Sequence, residues 1–318
     1  MSKKRKIVFA GAGHVGSHGA YALISGNLAD EIIFIDKDVK KAEAQATDLN
    51  DATAYLPVRT IVHSGTYKDA SDADIFIIAV GPLPVKGQTD RMQTLKSNIE
   101  CIDDVIRGLK SSNFSGIIIN ISNPADVVTH YIAHRLSWPK QRILSTSTTL
   151  DSARVRRALA FALNIDQKSI LAYALAEHGE SQFVPWSTVT VAGKSLSSYI
   201  KEKHLNLDLE SIANDARSTG WNILWGKGST EFGIGASIAE VVRAILSDEH
   251  RILPVSTYLD GEYGVKDTFA SVPAILSREG VSEVIELDLS EEEKKKFSSS
   301  CETMNKNYLT ALSFQEDK

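Results

Sequence analysis

The chain has 318 residues, 43% of them hydrophobic and 24% charged, with a formal net charge of -5. That length allows one or two packed cores, and the acidic balance argues against a general nucleic-acid binder, which needs a basic surface. Two cysteines, Cys101 and Cys301, cannot build a disulfide framework and point to a reducing, cytoplasmic setting.

The basic start KKRK runs into IVFAGAG, but GHVGSH breaks that apolar run at once, so an export signal is not expected. No run reaches the ~18 apolar residues of a membrane span. KIVFA (6–10) reads as a buried strand and HVGSHGAYALIS as the helix after a glycine turn. EIIFID (31–36) is a second strand, followed by helical periodicity through KKAEAQATDLNDA; TIVHS (60–64) and DIFIIAV (74–80) are further strands. DRMQTLKSNIECIDDVIRGLKS is a long amphipathic helix, and GIIINIS and RILS (142–145) complete the first unit. Strands alternating with helices need crossover connections and predict a doubly wound, mostly parallel sheet of the Rossmann type. From about residue 146 the rhythm changes: a helix at 150–163, short β-like stretches in SILAYAL and STVTVAG, helices near 208–225 and 230–247, β-like sequence over 252–287, and a terminal helix from about 290. A first unit over 1–145 and an α+β second unit over 146–318 are expected. EEEKKK in the last helix reads as a solvated face with helical ion pairs.

Gly11-Ala12-Gly13-His14-Val15-Gly16 fits GxGxxG after a strand and before a helix, and Asp36 ends the next strand 20 residues after Gly16. That is the dinucleotide-binding arrangement. Gly11 makes the tight turn, Gly13 lets the diphosphate approach the backbone, Val15 belongs to the same loop, and Gly16 permits close helix–sheet packing. The helix amides offer positive charge to the phosphates. Asp36 accepts ribose hydroxyls and repels a 2′-phosphate, favouring NAD over NADP, with Lys37 directed to solvent.

Three later segments carry chemistry. ISNPAD (121–126) places Asn123 beyond a strand end, where ligands of open α/β sheets bind. STSTTLDSARVRRAL (145–159) sets Asp151 and Arg154 three apart on one helix face, and ALAEHGESQFVPWS (174–187) puts His178 in a glycine-bearing turn. A histidine suits reversible alcohol/ketone chemistry, a neighbouring carboxylate fixes its tautomer, and an arginine binds a substrate carboxylate bidentately. With NPxD, LDxAR and EHGxS in this order, the chain resembles the L-lactate/malate dehydrogenase superfamily from about Lys6 to Leu312. The resemblance implies a Rossmann domain, a substrate domain, and hydride transfer between NAD and a small 2-oxo/2-hydroxy acid. It implies that His178 is the acid/base, Asp151 its orienting partner, Arg154 the carboxylate clamp, and that Asn123 contacts substrate and nicotinamide. It further implies that Thr230, in KGSTEFG, lies beside the substrate, that Arg91 polarises the carbonyl from a mobile loop, and that the protein is a homotetramer or homodimer.

The departures from the family pattern bear on the substrate. Aligning on Gly87-Gln88-Thr89 puts Val85 where lactate enzymes carry glutamine and malate enzymes arginine; with the extra Asp90 in the loop, Leu83 or Pro84 are the alternatives. All are apolar and would leave a second substrate carboxylate buried without a partner, so malate is disfavoured. GPLPVKGQTDR and ISNPADV are most similar to the L-2-hydroxyisocaproate dehydrogenase branch, which implies a medium aliphatic or aromatic 2-oxo acid; an L-lactate dehydrogenase with relaxed selectivity is the alternative. From other classes, an NAD-dependent glycosidase lacks its Cys/His metal set here, and a non-catalytic NAD-binding protein would not need these residues. Ser145 and Ser147 stand where the family pattern has glycines, and Ala176 where GEHG has its first. Arg156 matches an arginine used for fructose bisphosphate in allosteric relatives, but its histidine partner is Leu171 here, so no activation by that sugar phosphate is expected. His130 and His134, spaced i,i+4, are expected on a helix surface rather than on a metal. Cys101 is expected as a packed core thiol. Trp221 and Trp225 are expected in a core or interface, with a place in the substrate pocket the alternative for Trp225, which is close to Thr230 in sequence. Arg91→Gln is expected to lower turnover by about 10²–10³-fold with NADH binding nearly unchanged, measured by steady-state rates and NADH fluorescence; unchanged turnover would remove Arg91 from the reaction.

Overall fold

The computed structural model describes residues 4–82 and 91–314. The first six strands, β1 (Lys6–Ala10), β2 (Glu31–Ile35), β3 (Ile61–Ser64), β4 (Ile75–Ile78), β5 (Ile117–Asn120) and β6 (Ile143–Ser145), are parallel in the order β3-β2-β1-β4-β5-β6. This is the doubly wound order, in which the chain reverses direction across the sheet between β1 and β4. Their apolar runs are buried on both faces, as in Ile7, Val8 and Phe9 of β1 and the whole of β4, because helices cover both sides.

Helices α1 (His14–Ser25), α2 (Val39–Thr53), α3 (Leu95–Lys110) and α4 (Ala125–Leu136) make the crossovers, followed after β6 by α5 (Thr149–Leu163). α3 buries Leu95, Ile99, Ile102, Ile106 and Leu109 at helical spacing. It is shorter than its sequence pattern: Arg91–Thr94 form a separate 3₁₀ turn before it. α4 is the helix that the spacing of His130 and His134 implies, although its bounds were not expected. It buries nine of its twelve residues, so its pattern lacks the polar stripe that marks a surface helix.

The remaining elements are β7 (Ile170–Leu171), β8 (Thr190–Val191), β9 (Lys194–Ser195), α6 (Leu196–Glu202), α7 (Leu209–Lys227), α8 (Phe232–Leu246), β10 (Arg251–Asp260), β11 (Lys266–Ser277), β12 (Gly280–Val284) and α9 (Glu291–Ser313). β7, β8 and β9 form a small antiparallel sheet, whereas β10, β11 and β12 extend the large one: β10 pairs antiparallel with β6 through Ser256 and Ser145. The nine-stranded sheet therefore runs through residue 145 without a break. Each of the two large cores draws on both halves of the chain, one joining Val8 and Ile118 to Val272 and Phe297, the other Ile7 and Phe34 to Ile238 and Val255. A third, smaller core around Leu159, Val189 and Ala216 belongs to the second half alone.

Burial corrects several expectations. His130 is not on a surface: its ring stacks on Tyr308 of α9 at 3.6 Å and meets Phe269 of β11 at 5.3 Å, while His134 is exposed. Cys101 is only half-buried, and burial raises its thiol pKa. EEEKKK is not wholly a solvated face. Glu291 and Glu292 pair with Lys294 and Lys296 at 2.8 Å, but Glu293 turns inward, capping its own helix with Ser290 and accepting from Ser187. Lys37 is exposed as expected.

Burial also pushes the His130 imidazole down to about 4 from its ordinary 6.5. Between those values the unfolded chain binds the proton that the folded chain refuses, so the stability is complete above pH 6.5 and is lost as pH falls toward 4. At pH 5 the loss amounts to about 2 kcal/mol. Urea unfolding at pH 7.5 and pH 5 should therefore show a larger acid penalty for the native chain than for His130→Phe; equal penalties would refute the assignment.

Candidate active site

The carboxyl ends of β1, β4, β5 and β6 open on one cavity of about 380 Å³, at the point where the strand order reverses. Gly13, His14 and Val15 enter it after β1, Gly81 and Pro82 after β4, Asn123 after β5, and Ser145 to Ser147 after β6.

The glycine loop fits a dinucleotide. Gly11 has φ +103°, and a Cβ there would meet the Ala79 carbonyl oxygen at 2.3 Å; a Cβ on Gly16 would meet the Gly11 oxygen at 2.1 Å. At Gly13 the nearest atom to such a Cβ is Lys41 Nζ at 3.9 Å, so that backbone is open to a close-approaching phosphate. Asp36 accepts the Ala12 N–H at 2.7 Å and the Asp38 N–H at 3.0 Å, which locks its carboxylate against the loop. Asn123 Oδ1 is buried and has no hydrogen-bond partner among the described residues, which suits an acceptor kept for a bound group.

Asn123 is held in place by Asn120, whose sequence gave no hint of a role. The fully buried Asn120 amide donates to the Ser122 and Ala125 carbonyls at 3.1 Å and to Thr129 Oγ1 at 3.0 Å, and its Oδ1 accepts the Ser122 N–H at 3.0 Å. Ser122 Oγ in turn accepts the Val80 N–H at 3.0 Å, joining the loops after β4 and β5.

The chemical centre lies on α5. Asp151, buried in its first turn, turns Oδ1 to Arg154 Nη1 at 2.8 Å and Oδ2 to His178 Nδ1 in a short hydrogen bond. Arg154 is buried and lines the cavity together with His178. The turn bearing His178 is fastened to α5 by the Ala174 N–H donating to Ser152 Oγ at 2.9 Å and by Thr148 Oγ1 donating to the Ala174 carbonyl at 2.7 Å. A second carboxylate, which the sequence reading left without a role, supports it from behind: Asp126 Oδ2 accepts the His178 backbone N–H at 2.8 Å and its Oδ1 accepts the Ser147 hydroxyl at 2.9 Å. Complete burial raises the Asp126 pKa in spite of these bonds. Another wall comes from α7, α8 and the bend between them, with Trp221 and Leu224 on α7, Thr230 in the bend and Ile234 on α8.

Gly13, Val15, Asn123, Arg154, His178 and Thr230 thus meet on one cavity, with Asp151 behind them and Gly11, Gly16 and Asp36 shaping the loop. Val85, with the alternatives Leu83 and Pro84, and the side chain of Arg91 lie outside the described residues. Of the two tryptophans, expected in a core or interface, Trp221 lines the cavity, and Trp225, stacked on it at 5.9 Å, is 43% exposed and stands outside the lining. The α-helical period explains it: Gly220, Trp221 and Leu224 share the face that lines the cavity, and Trp225 lies beyond the edge of that face. Arg156 points its guanidinium at the Ala172 carbonyl, and Leu171 is exposed. Among the described residues no group of three or more His, Cys, Asp or Glu could hold a metal, and no helix is long and apolar enough to cross a membrane.

The sequence profile of the lactate/malate dehydrogenase NAD binding domain matches residues 5–145, and that of the family's alpha/beta C-terminal domain matches residues 148–315. The chain belongs to the lactate/malate dehydrogenase family. It is an NAD-dependent 2-hydroxy acid oxidoreductase with the Rossmann-like fold of that family. It is 39% identical over 313 residues to L-lactate dehydrogenase 3 of Bacillus cereus, covering 98% of each chain. It is 38% identical over 309 residues to an L-lactate dehydrogenase of Fusobacterium nucleatum, covering 96% of each. The ligand-bound minor L-lactate dehydrogenase of Enterococcus mundtii superposes with a TM-score of 0.93 at 37% identity, over 96% of this chain and 98% of that one. Cryptosporidium parvum malate dehydrogenase superposes with a TM-score of 0.92 at 27% identity, over 98% of this chain and all of that one.

Against the family pattern, two substitutions stand at left-handed positions, Ser147 with φ +32° and Ala176 with φ +71°. Such conformations cost a non-glycine residue about 1 kcal/mol each. At Ser147 the hydroxyl's bond to the buried Asp126 offsets the cost. Asn120→Asp keeps the shape but turns the donating nitrogen into an acceptor facing three oxygens, and should destabilise the fold by about 3 kcal/mol, read by urea denaturation; a loss below the error of the method would mean that the loop bearing Asn123 is held by other contacts.

Proposed function

We propose that this chain is an L-lactate dehydrogenase in the broad sense, interconverting L-2-hydroxy acids and monocarboxylic 2-oxo acids, with pyruvate and lactate its simplest pair. The single observation that carries this reading is the buried Asp151 carboxylate shared between Arg154 and His178 on the wall of the cavity. The naming of the curated relatives as L-lactate dehydrogenases supports it. In this reading residues 1–145 hold NAD through Gly11, Gly13, Val15, Gly16, Asp36 and Asn123, and residues 146–318 supply most of the chemistry. The protein acts as a homodimer or homotetramer in the cytoplasm.

NADH, when bound, supplies the hydride that adds to the carbonyl carbon. Arg154 binds the substrate carboxylate through its planar fork of N–H donors. As the carbonyl π pair collects on oxygen, protonated His178 donates the Nε2 proton to it. Asp151 holds Nδ1, fixes the ring orientation and stabilises the cationic imidazolium before transfer. In the reverse direction the neutral ring takes that proton back. Arg91 stabilises the charge on the carbonyl oxygen, and Asn123 and Thr230 border the substrate.

A second reading, preference for longer apolar 2-oxo acids of the 2-oxoisocaproate kind, is favoured by Val85 in the sequence and by the wall of Trp221, Leu224 and Ile234. NADH oxidation with pyruvate, 2-oxoisocaproate, phenylpyruvate and oxaloacetate tests both. Oxaloacetate should have a kcat/KM at least about 100-fold below that of the best substrate, since its second carboxylate meets an apolar wall. The rank of pyruvate against 2-oxoisocaproate decides between the two readings. Oxaloacetate as best substrate would sink both, and absence of turnover would favour a non-catalytic NAD-binding protein.

A further inference from the structure

A cluster of charged side chains stands at the rim of the cavity, beside His14 and Ser229 of its lining, and it converges on Glu231. The Glu231 carboxylate accepts the Ser229 hydroxyl at 2.7 Å and faces His14 Nδ1 at 2.9 Å through Oε1. Through Oε2 it takes Lys227 Nζ and lies 3.9 Å from His18 Nε2. These partners come from three places. His14 and His18 belong to α1, the helix opened by the glycine loop; Lys227 ends α7; Ser229 lies in the short bend before α8. Phe232 closes the outside, with the Lys227 ammonium 4.4 Å over its ring and the edge of His18 5.5 Å away.

The carboxylate is only 14% exposed. Lys227 first, and Ser229 second, hold its pKa down at about 2, so it is charged throughout the working range. Glu231 is the N-cap residue of α8 but makes no side-chain capping bond to that helix. Its acceptor capacity goes to neighbours instead. Thr230, on the cavity wall, lies between Ser229 and Glu231, which are bonded to each other over its head. The residue before this bend, Gly228, is at φ +93° with open space around it, so the backbone there imposes little stiffness.

We propose that Glu231 is a positioning residue that ties the bend carrying Thr230 to the helix that opens the dinucleotide site, and thereby sets the affinity for the 2-oxo acid. Isolated exposed ion pairs contribute little, but a carboxylate with four partners, mostly shielded from water, fixes geometry. Moving Thr230 away from the cavity breaks the Ser229 bond, and moving the whole bend breaks the His14 contact to α1. The inference rests on the reading of Thr230 as a substrate neighbour.

The test uses the full chain with Glu231→Ala, Glu231→Gln and Ser229→Ala. Steady-state rates are measured against the 2-oxo acid that the native chain turns over best, and NADH affinity by fluorescence. Glu231→Ala should raise the KM for the 2-oxo acid about tenfold with kcat within about twofold. The Gln variant, which still accepts from Ser229, should recover most of that rise. Ser229→Ala, the milder change should Glu231→Ala fail to fold, should raise KM about threefold. An unchanged KM in the variants that fold, or a loss of kcat and melting temperature together with KM unmoved, would overturn the proposal. Turnover by the native chain in the same assay stands on its own, so an unchanged KM counts against Glu231 and not against the assignment of the reaction.

Discussion

A carboxylate buried to 1% exposure, as Asp151 is, costs several kcal/mol unless charge and hydrogen bonds compensate it. Among the described residues its partners include the two that the proposed chemistry requires. Arg154, one turn along α5, is fixed by the helix itself, whereas His178 comes from a turn 27 residues away. That second partner must be brought in by tertiary structure. The bonds of Thr148 and Ser152 to the Ala174 backbone do so from one side, and Asp126 does so from the other by holding the His178 N–H. The placement of β5, β6 and α5 can be understood as the set of supports that keeps one buried anion satisfied.

The sequence made the chemistry more legible than its scaffolding, for physical reasons. Gly11, Gly16 and Asp36 announce themselves because no side chain fits at the first two and because a carboxylate at a strand end has few other uses. Asp151 and Arg154 pair by their spacing on one helix, whereas His178, 27 residues from Asp151, joins them in the sequence only through the family resemblance. Asn120 could not be read, since an asparagine ending a strand has no signature and its four bonds exist only once the loop after β5 is folded. α4 is buried nearly all round and has no amphipathic period, so the i,i+4 spacing of His130 and His134 implies a helix but not that His130 faces inward. Glu293 was read as solvent-facing from its charged neighbours, although its capping box with Ser290 turns it inward.

Ser147 and Ala176 show how the family frame tolerates unusual residues. Both occupy left-handed backbone beside the catalytic turn. The serine offsets its conformational cost by joining the Asp126 network. Ala176 exchanges two backbone hydrogen bonds with Ser271 of β11, at 2.9 and 2.8 Å, and these hold the strained residue in place. The strain sits one residue before Glu177 and two before His178, where rigidity serves proton transfer.

The join between β6 and β10 has a mechanical meaning. Because one sheet and two cores cross the middle of the sequence, the two halves share a single stiff beam, and swinging them apart would tear backbone ladders and packed side chains together. In the proposed reaction Asn123, before the join, and Asp151, Arg154 and His178, after it, then keep their separation by construction, and no hinge between the halves is needed to align them.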